Sequence, residues 1–463
     1  MKKYDSIIIG FGKAGKTLSG YLASKGENVA MIEKSEEMYG GTCINIGCIP
    51  SKSLVTSGLK TKNINKNYEE NKIDYTEAIL EKRRLVSMLR EKNFNMLNSN
   101  ENITIYNGFG SFITDHKIKV SPTNSKGEII NDGEIIELEG EKIFINTGST
   151  PTIPPIKGIE NNPYVYYSNS LMDLDNLPEN LLIIGGGYIA LEFSSIYANF
   201  GSKVTVIQRS DKFLKNEDED IANEIKQVLE DKGIEIILSA NMESIEEKDN
   251  CGVLNYTVDN EKKSISANGI LVATGRRANI NNLNLENAGI KTNKRGIETN
   301  ELLQTNVNDI WAMGDVVGGL QFTYISLDDY RIIKRQFEDN NKFFQNSQRN
   351  NVPFSVFIDP SFSRVGLNEK EAIEQGYNIK VSKLPVAAIP KAQVLKHPVG
   401  MLKAVIDKDT NKILGAMLLC DESYEVINTI KLAMDLNLDY QVLRDQIFTH
   451  PTISESLNDL FNV

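Results

Sequence analysis

Two stretches far apart in this chain follow one grammar, and that repetition constrains the fold more than any other feature. The first runs from a strand, Tyr4-Asp5-Ser6-Ile7-Ile8-Ile9, through Gly10-Phe11-Gly12-Lys13-Ala14-Gly15. A helical stretch from Lys13 to Lys25 and a strand over Val29–Glu33 follow. The second has a strand over Leu181–Ile184, a turn at Gly185-Gly186-Gly187, a helix over Tyr188–Phe200 and a strand over Val204–Gln208. Each is a βαβ unit. Glycines at such a turn let a pyrophosphate approach the helix N-terminus, where unpaired N–H groups and the dipole favour an anion.

In the first unit Gly10, Gly12 and Gly15 fill the three glycine positions. Glu33, 23 positions beyond Gly10, ends the next strand beside Lys34, where a carboxylate can accept hydrogen bonds from ribose hydroxyls. A lone GxGxxG is a weak signal, but strand, helix and acid in register make this a dinucleotide site. The second unit keeps Gly185 and Gly187, continues with Tyr188 and Ile189, and has Ala190 in place of the third glycine. Its strand ends at Gln208, followed by Arg209. Without an acid there is no like-charge penalty against a 2′-phosphate, and Arg209, with Lys215, can pair with one. The pattern points to NADPH, with NADH possible if Arg209 is only a solvated surface charge.

At 463 residues the chain exceeds what one core normally holds, about 250–300 residues, so two or three domains are expected. A net charge of −11 disfavours a phosphate-backbone partner, and no nucleic acid is expected. No apolar run approaches the roughly 18–20 residues of a membrane span. Lys2 and Lys3 precede only the short run Ile7–Ile9, unlike a signal peptide, so the chain reads as cytoplasmic and not membrane-bound.

Between the two units lies a helical stretch around Tyr75–Leu97. Short alternating strands follow from Ile103 to Ile145, with turns at Asn107-Gly108 and Lys126-Gly127. Lys60–Lys72, rich in Asn and Lys, reads as an exposed connection. After Val352 the pattern changes to strand-like runs (Phe354–Ile358, Met401–Ile406, Ile413–Leu419) and helical segments (Glu422–Met434, Asp439–Gln446), indicating a separate α+β domain.

Four cysteines in a reducing compartment argue against structural disulfides. Cys251 and Cys420 are isolated and expected to be buried small apolar residues. Cys43 and Cys48, five positions apart near the start of a helix, can come within bonding range. The helix N-terminus and Lys52 are expected to lower a thiolate pKa there. Zinc would favour closer pairs and a second ligand pair, and none of the three histidines is near, so no metal site is expected. His116 and His397 match no motif and read as surface or core residues.

Gly41-Thr42-Cys43 through Cys48-Ile49-Pro50-Ser51-Lys52 resembles the redox-active disulfide motif of the class I pyridine nucleotide-disulfide oxidoreductases. Glutathione reductase, lipoamide dehydrogenase and mercuric reductase belong to that family. The resemblance runs the length of the chain. Thr147-Gly148-Ser149-Thr150-Pro151 is similar to the crossover out of the FAD domain, and Ala273-Thr274-Gly275-Arg276 to the return. Trp311-Ala312-Met313-Gly314-Asp315 is similar to the second FAD motif, whose aspartate bonds the ribityl chain. Phe448-Thr449-His450-Pro451 with Glu455 is similar to the C-terminal catalytic segment; alone, His450-Pro451 would read as a turn.

The resemblance implies FAD, a nicotinamide nucleotide and a homodimer. It implies that Cys48 is the sulfur nearest the flavin and its charge-transfer thiolate, and that Cys43 is the interchange thiol. It further implies a Lys52–Glu192 ion pair beside the flavin and Tyr188 as a gate to the nicotinamide pocket. His450, held by Glu455, becomes an acid/base contributed across the dimer interface. The fold class expected is α/β, with two Rossmann-like domains and a C-terminal α+β dimerisation domain. Residues 1–155 and 283–345 would bind FAD, 156–282 would bind NAD(P), and 350–463 would dimerise.

Within the family, lipoamide dehydrogenases carry an acid where Gln208 stands, and mercuric reductases end in a vicinal cysteine pair that Asn458–Val463 lacks. Glutathione-type reductases use a differently built cleft. The stretch Gly318–Tyr330, Leu384–Pro390 and Asp445–Pro451 resemble the bacterial reactive-chlorine resistance flavoproteins, described as hypothiocyanous acid reductases and as copper(II) reductases. The expectation is reduction of a small oxidant, hypothiocyanous acid foremost. The alternatives are a copper(II) or mercuric-type metal-ion reductase, a lipoamide or glutathione-type disulfide reductase, and a structural or redox-sensing subunit.

Overall fold

The computed structural model describes residues 1–61, 66–338 and 349–463, which fall into two compact units. The first comprises residues 1–53, 79–152 and the described part of 275–348. Its centre is a seven-stranded sheet. Strands Ile103–Asn107, Val29–Glu33, Lys2–Ile9 and Ile136–Ile145 lie parallel in that order. Ile310–Ala312 pairs in parallel with the last of these, while Lys117–Ser121 and then Phe109–Phe112 continue antiparallel.

Successive strand side chains point to opposite faces. Ile7 and Ile9 therefore join Ile143, Ile145 and Leu285 in one core, and Ile8 joins Phe144, Leu18 and Leu22 in another. Covering both faces explains why Ile7-Ile8-Ile9 is an unbroken apolar run. It also fixes the register, with Ile7 opposite Ala30 and Ile143. The glycine turn after Ile9 thus opens at the C-terminal edge of the parallel strands, where α/β sheets place ligands.

The second unit comprises the described part of 54–78, with 153–274 and 349–463. Its five-stranded parallel sheet has the order Glu235–Ile237, Lys203–Ile207, Asn180–Ile184, Gly269–Val272, Val165–Tyr166. A three-stranded antiparallel sheet, Asn241–Lys248, Cys251–Val258 and Glu261–Ala267, adjoins it in sequence. Beyond residue 350 a five-stranded antiparallel sheet has the order Phe354–Val356, Phe362–Gly366, Ile413–Leu419, Met401–Asp407, Ile379–Pro385. Helix Ser423–Asp435 packs Val426, Ile427 and Ile430 into its core beside Leu402, Ala404 and Leu418. Among the described residues no helix is long and apolar enough to cross a membrane.

Two expectations are corrected. Most of Lys60–Lys72 is helical: helix Cys48–Thr61 runs past Lys60, and a 31-residue helix, Tyr68–Asn98, begins at Tyr68. Asn67 is a cap here rather than a loop signal. Its Oδ1 accepts the Glu70 N–H at 3.0 Å while Glu70 Oε2 accepts the Asn67 N–H at 2.8 Å, a capping box. Residues 62–65 of that segment lie outside the described residues. Cys251 is only half-buried, because it starts an antiparallel strand at a hairpin end; Cys420 is fully buried.

Candidate active site

The two glycine loops share one construction. Gly10 has φ +106°, and a Cβ there would stand 2.3 Å from the Asn146 carbonyl oxygen at the end of the neighbouring strand. Gly185 has φ +119°, and its Cβ would stand 2.5 Å from the Ala273 carbonyl oxygen at the corresponding place. Both helices that follow, Lys13–Ser24 and Tyr188–Asn199, have a glycine N-cap (Gly12 and Gly187) with no side-chain cap and no acid in the first turn. No carboxylate stands on either helix start, so both loops fit the phosphates of a dinucleotide.

Around the first loop, Glu33 is buried, with Oε2 accepting the Phe11 N–H at 2.9 Å and Oε1 the Ser35 N–H at 3.2 Å. Burial pushes its carboxyl up, against the pull of those hydrogen bonds. Lys34 is exposed. Gly15 donates to Asn146 Oδ1 at 3.0 Å, and Ala14 to Ser326 Oγ at 3.3 Å. Gly314, at φ +76°, donates to the buried Asp329 carboxylate at 2.5 Å.

Asp315 accepts from Ser149 Oγ at 2.6 Å, and Arg276 grips Ser149 through Nε–Oγ at 2.9 Å and Nη2–O at 2.8 Å. Thr147 Oγ1 donates to the Asn279 carbonyl at 2.8 Å, and Gly148 turns at φ +72°. Gly275, at φ +116°, precedes a short antiparallel ladder of Arg276–Ala278 with Ser149–Pro151. The two sequence-detected crossovers therefore meet.

The cysteines lie at the starts of consecutive helices, Thr42–Asn45 and Cys48–Thr61. Gly41 (φ +76°, ψ −169°) brings the first onto the glycine loop: a Cβ there would stand 2.7 Å from Gly12 Cα. Asn45 Nδ2 donates to the Tyr39 and Gly41 carbonyls, and its Oδ1 accepts from Arg90 Nε at 2.8 Å. Cys43 is half-buried and hydrogen-bonded to the exposed Cys48. Cys48 Sγ lies 3.5 Å from Thr323 Oγ1.

The expected lowering of a thiolate pKa is not found at Cys43. Its contact with Cys48 and its burial push the thiol up, and only Thr323 and Lys16 oppose them. Lys52 Nζ meets Ser51 Oγ at 3.3 Å. Phe322 and Tyr324 stack at 5.0 Å with rings 10° from parallel, and Cys48 beside Tyr324 adds to burial in pushing that phenol up.

In the second unit, Glu192 is buried and accepts the Phe357 N–H at 3.0 Å. Lys52 and Glu192 fall in different units, as do His450 and the cysteines. Gln208 is buried, its Nε2 donating to the Ser210 and Lys212 carbonyls. Its Oε1 lies 1.7 Å from where a Gly186 Cβ would stand. Arg209, Lys215 and Ile189 are exposed. His450 Nδ1 lies 2.8 Å from Glu455 Oε2, and that imidazole holds the Glu455 carboxyl below its usual range.

Several residues escaped the sequence reading. Asn146 had no motif to mark it. Thr323 lay in a stretch read only for its resemblance to the reactive-chlorine resistance flavoproteins. Lys16 is a buried lysine whose Nζ bonds Asn93 Oδ1 and whose pKa falls to about 8, through burial and then Lys13. His397 is not a bland residue: Nδ1 bonds Asp421 at 2.9 Å, Nε2 lies 3.9 Å from Asp359, and Asp359 also pairs with Lys232. His116 Nδ1 meets the Gly140 carbonyl at 3.0 Å.

Comparison with known proteins gives concordant results. The family model described as pyridine nucleotide-disulphide oxidoreductase matches residues 4–329, and the model of that family's dimerisation domain matches residues 352–461. The chain is 48% identical over 464 residues to the probable pyridine nucleotide-disulfide oxidoreductase RclA of Escherichia coli K12, covering 100% of each. It is 33% identical to a mercuric reductase of Staphylococcus aureus, over 98% of this chain and 81% of that one. A solved structure described as the Cu(II) complex of the HOCl-induced flavoprotein disulfide reductase RclA from E. coli is similar. It has a TM-score of 0.91 and 47% identity, over 100% of this chain and 99% of that one.

Proposed function

The chain belongs to the pyridine nucleotide-disulphide oxidoreductase family, whose members use FAD and NAD(P)H, and on that premise we propose that it reduces a small oxidant, hypothiocyanous acid foremost, with NADPH preferred as donor. The observation that carries this reading is the cysteine pair. Cys43 and Cys48 touch, Cys48 is exposed, and Thr323 with the Phe322–Tyr324 stack borders them. The E. coli relative's description as HOCl-induced supports an oxidant setting. The matched dimerisation domain supports a homodimer.

Bound FAD would supply the two-electron relay from nicotinamide to the cysteines. Gly10, Gly12, Gly15, Glu33, Gly41, Thr42 and Asp315 would hold it, and Gly185, Gly187 and Arg209 the nicotinamide nucleotide. The cysteines do the rest. Cys43, its proton passed to His450, attacks the sulfur of hypothiocyanous acid, forming an S–S bond to the SCN group as hydroxide leaves and takes that proton to become water. Cys48, as thiolate, then attacks Cys43 Sγ, expels thiocyanate and closes the disulfide. Two electrons pass from the dithiol to the oxidant. His450, oriented by Glu455, is the proton donor to the leaving hydroxide.

A second reading, copper(II) reduction by the same dithiol, is favoured by the similar structure's description as a Cu(II) complex. Steady-state oxidation of NADPH and NADH with hypothiocyanous acid, glutathione disulfide, lipoamide and copper(II) discriminates the readings. Turnover with hypothiocyanous acid at least tenfold above the rest, abolished by Cys43→Ser, is expected on the scale at which a nucleophile matters. Comparable turnover with a bulky disulfide rejects the small-oxidant assignment.

A further inference from the structure

Lys16 is the fourth residue of the helix that follows the first glycine loop, and it is buried. An enclosed ammonium loses its hydration and is rarely found without a charge to meet it. Its Nζ bonds a neutral partner, the Asn93 amide oxygen, and Lys13 on the same helix adds like-charge repulsion. The group that favours its charged form is Cys43.

The chain builds a support for this pairing. Asn93 is a buried residue of helix Tyr68–Asn98, and its Nδ2 donates to the Leu89 carbonyl at 2.6 Å, which leaves Oδ1 for Lys16. The same amide backs the cysteine turn, since a Cβ on Gly40 would stand 3.2 Å from Asn93 Cγ. Arg90, three residues earlier and so on the same helix face, donates through Nε to Asn45 Oδ1 at 2.8 Å. Asn45 Nδ2 in turn holds the Tyr39 and Gly41 carbonyls, each at 2.9 Å. One helix face therefore grips the segment on both sides of Cys43, and Asn93 meets Gly40 and Lys16 at once. The electrostatic effect is mutual. Lys16 favours the Cys43 thiolate, as does a hydrogen bond from Thr323, against burial and the contact with Cys48.

We infer that Lys16 is the standing counter-cation of the Cys43 thiolate, held behind the cysteine turn by Asn93. It is a positioning residue, acting only through Cys43, and the inference rests on the reading of Cys43 as the attacking thiol. That thiol must ionise before it attacks, and an ammonium already in place favours the ion with no rearrangement. An adjacent opposite charge shifts ionisation by about one pKa unit or more, which is about tenfold in thiolate.

The test is the pH profile of Cys43 alkylation by iodoacetamide in flavin-loaded Cys48→Ser protein, read at the Cys43 peptide by mass spectrometry. Lys16→Met is expected to slow alkylation at pH 7 about tenfold, whereas Lys16→Arg keeps the charge and should stay within about twofold. Above pH 8 Lys16 gives up its own proton, so Lys16→Arg should there outpace the protein that retains the lysine. Where Lys16→Met does not hold flavin, this second comparison decides alone. An unshifted profile in Lys16→Met, or equal rates for Lys16→Arg and its parent above pH 8, overturns the inference. Flavin loss in Lys16→Met with an unshifted Cys43 profile assigns the ammonium to the flavin phosphates and overturns it too. Neither oxidant nor nucleotide is present, so failure of hypothiocyanous acid as substrate leaves this result standing. A Cys43 that stays inert to iodoacetamide at every pH with Lys16 in place overturns the inference and the attacking-thiol reading together.

Discussion

Asn146 and Gly15 are joined across the mouth of the first sheet: Asn146 Oδ1 accepts the Gly15 N–H at 3.0 Å, while Nδ2 of the same amide donates to the Met313 carbonyl at 2.6 Å. One buried side chain thereby ties the helix start after the first glycine loop to the turn that presents Gly314 and Asp315. The glycines make room for it, since a Cβ at Gly12 would stand 2.4 Å from Asn146 Oδ1.

Asn146→Ala removes both bonds and leaves a buried N–H and a buried carbonyl short of partners. The expected cost is about 1–3 kcal/mol. The melting temperature should fall by several degrees, with flavin lost during gel filtration. Asn146→Asp, which keeps the acceptor for Gly15 but faces the Met313 carbonyl with an oxygen, should be intermediate. Retained flavin and an unmoved melting temperature in Asn146→Ala would remove the brace from the account.

Gly41→Ala tests the contact that seats the cysteine turn. The position needs a positive φ, and the added methyl would overlap Gly12 Cα at 2.7 Å, backbone against backbone. Left-handed strain and overlap together should cost about 2–4 kcal/mol. Flavin content and the rate of Cys43–Cys48 reduction should fall together. Thermal melting and single-turnover thiol titration check this; a variant that loses neither shows that the turn can give way.

His450 is exposed, and its bond to Glu455 at 2.8 Å contributes little to stability, so His450→Ala should be silent in melting experiments. Activity should respond instead. His450→Ala is expected to slow the oxidative half-reaction about a hundredfold, within the usual range for a general acid. Glu455→Gln, which loses only the orienting charge, should slow it roughly tenfold. Rapid-mixing reoxidation of the reduced protein by hypothiocyanous acid reads both, and wild-type rates would exclude His450 from proton transfer.

Much of this architecture could be read from residue patterns because it rests on local rules. The run Ile7-Ile8-Ile9 announces a strand buried on both faces, and the glycines that follow announce the turn. The repeated unit at Leu181–Gln208 exposes the second sheet in the same way. What could not be read depends on residues distant in sequence. Asn146 acts on Gly15 only because parallel pairing sets its strand beside the first one. Cys43 is governed by Cys48 and Thr323, and a rule based on helix position alone sees neither of them. Asn67 and Glu70 looked like a polar loop because a capping box uses the same residue types as a turn.

Gln208→Glu tests coenzyme choice at the end of the second unit's strand. Gln208 Nε2 now donates to the Ser210 and Lys212 carbonyls, at 3.2 and 3.0 Å. A carboxylate would meet those carbonyls as an acceptor and cost about 1–3 kcal/mol. It would also repel a 2′-phosphate, so KM for NADPH should rise tenfold or more while that for NADH changes little. Parallel kinetics with both nucleotides decide it, and equal effects on the two would show that Gln208 does not discriminate between them.

Lys16 gives a pH signature of its own. Its pKa in the folded chain is about 8, against the ordinary 10.5, chiefly because burial disfavours the ammonium. Below pH 8 the amine is charged in both folded and unfolded chains, and the penalty for burying it is present in full. Between pH 8 and 10.5 the unfolded chain holds the extra proton, so this group makes stability rise with pH across that window. Lys16→Met removes the penalty. The variant should exceed the wild type by on the order of 1–2 kcal/mol below pH 8, after allowance for partial hydration of Nζ, with the gap closing toward pH 10.5. Denaturant melts of both proteins, stripped of flavin and run at intervals across the window, isolate this term as a difference. A gap that stays constant from pH 7 to 10.5 would show that Lys16 titrates normally and that Asn93 and Cys43 solvate its charge as well as water does.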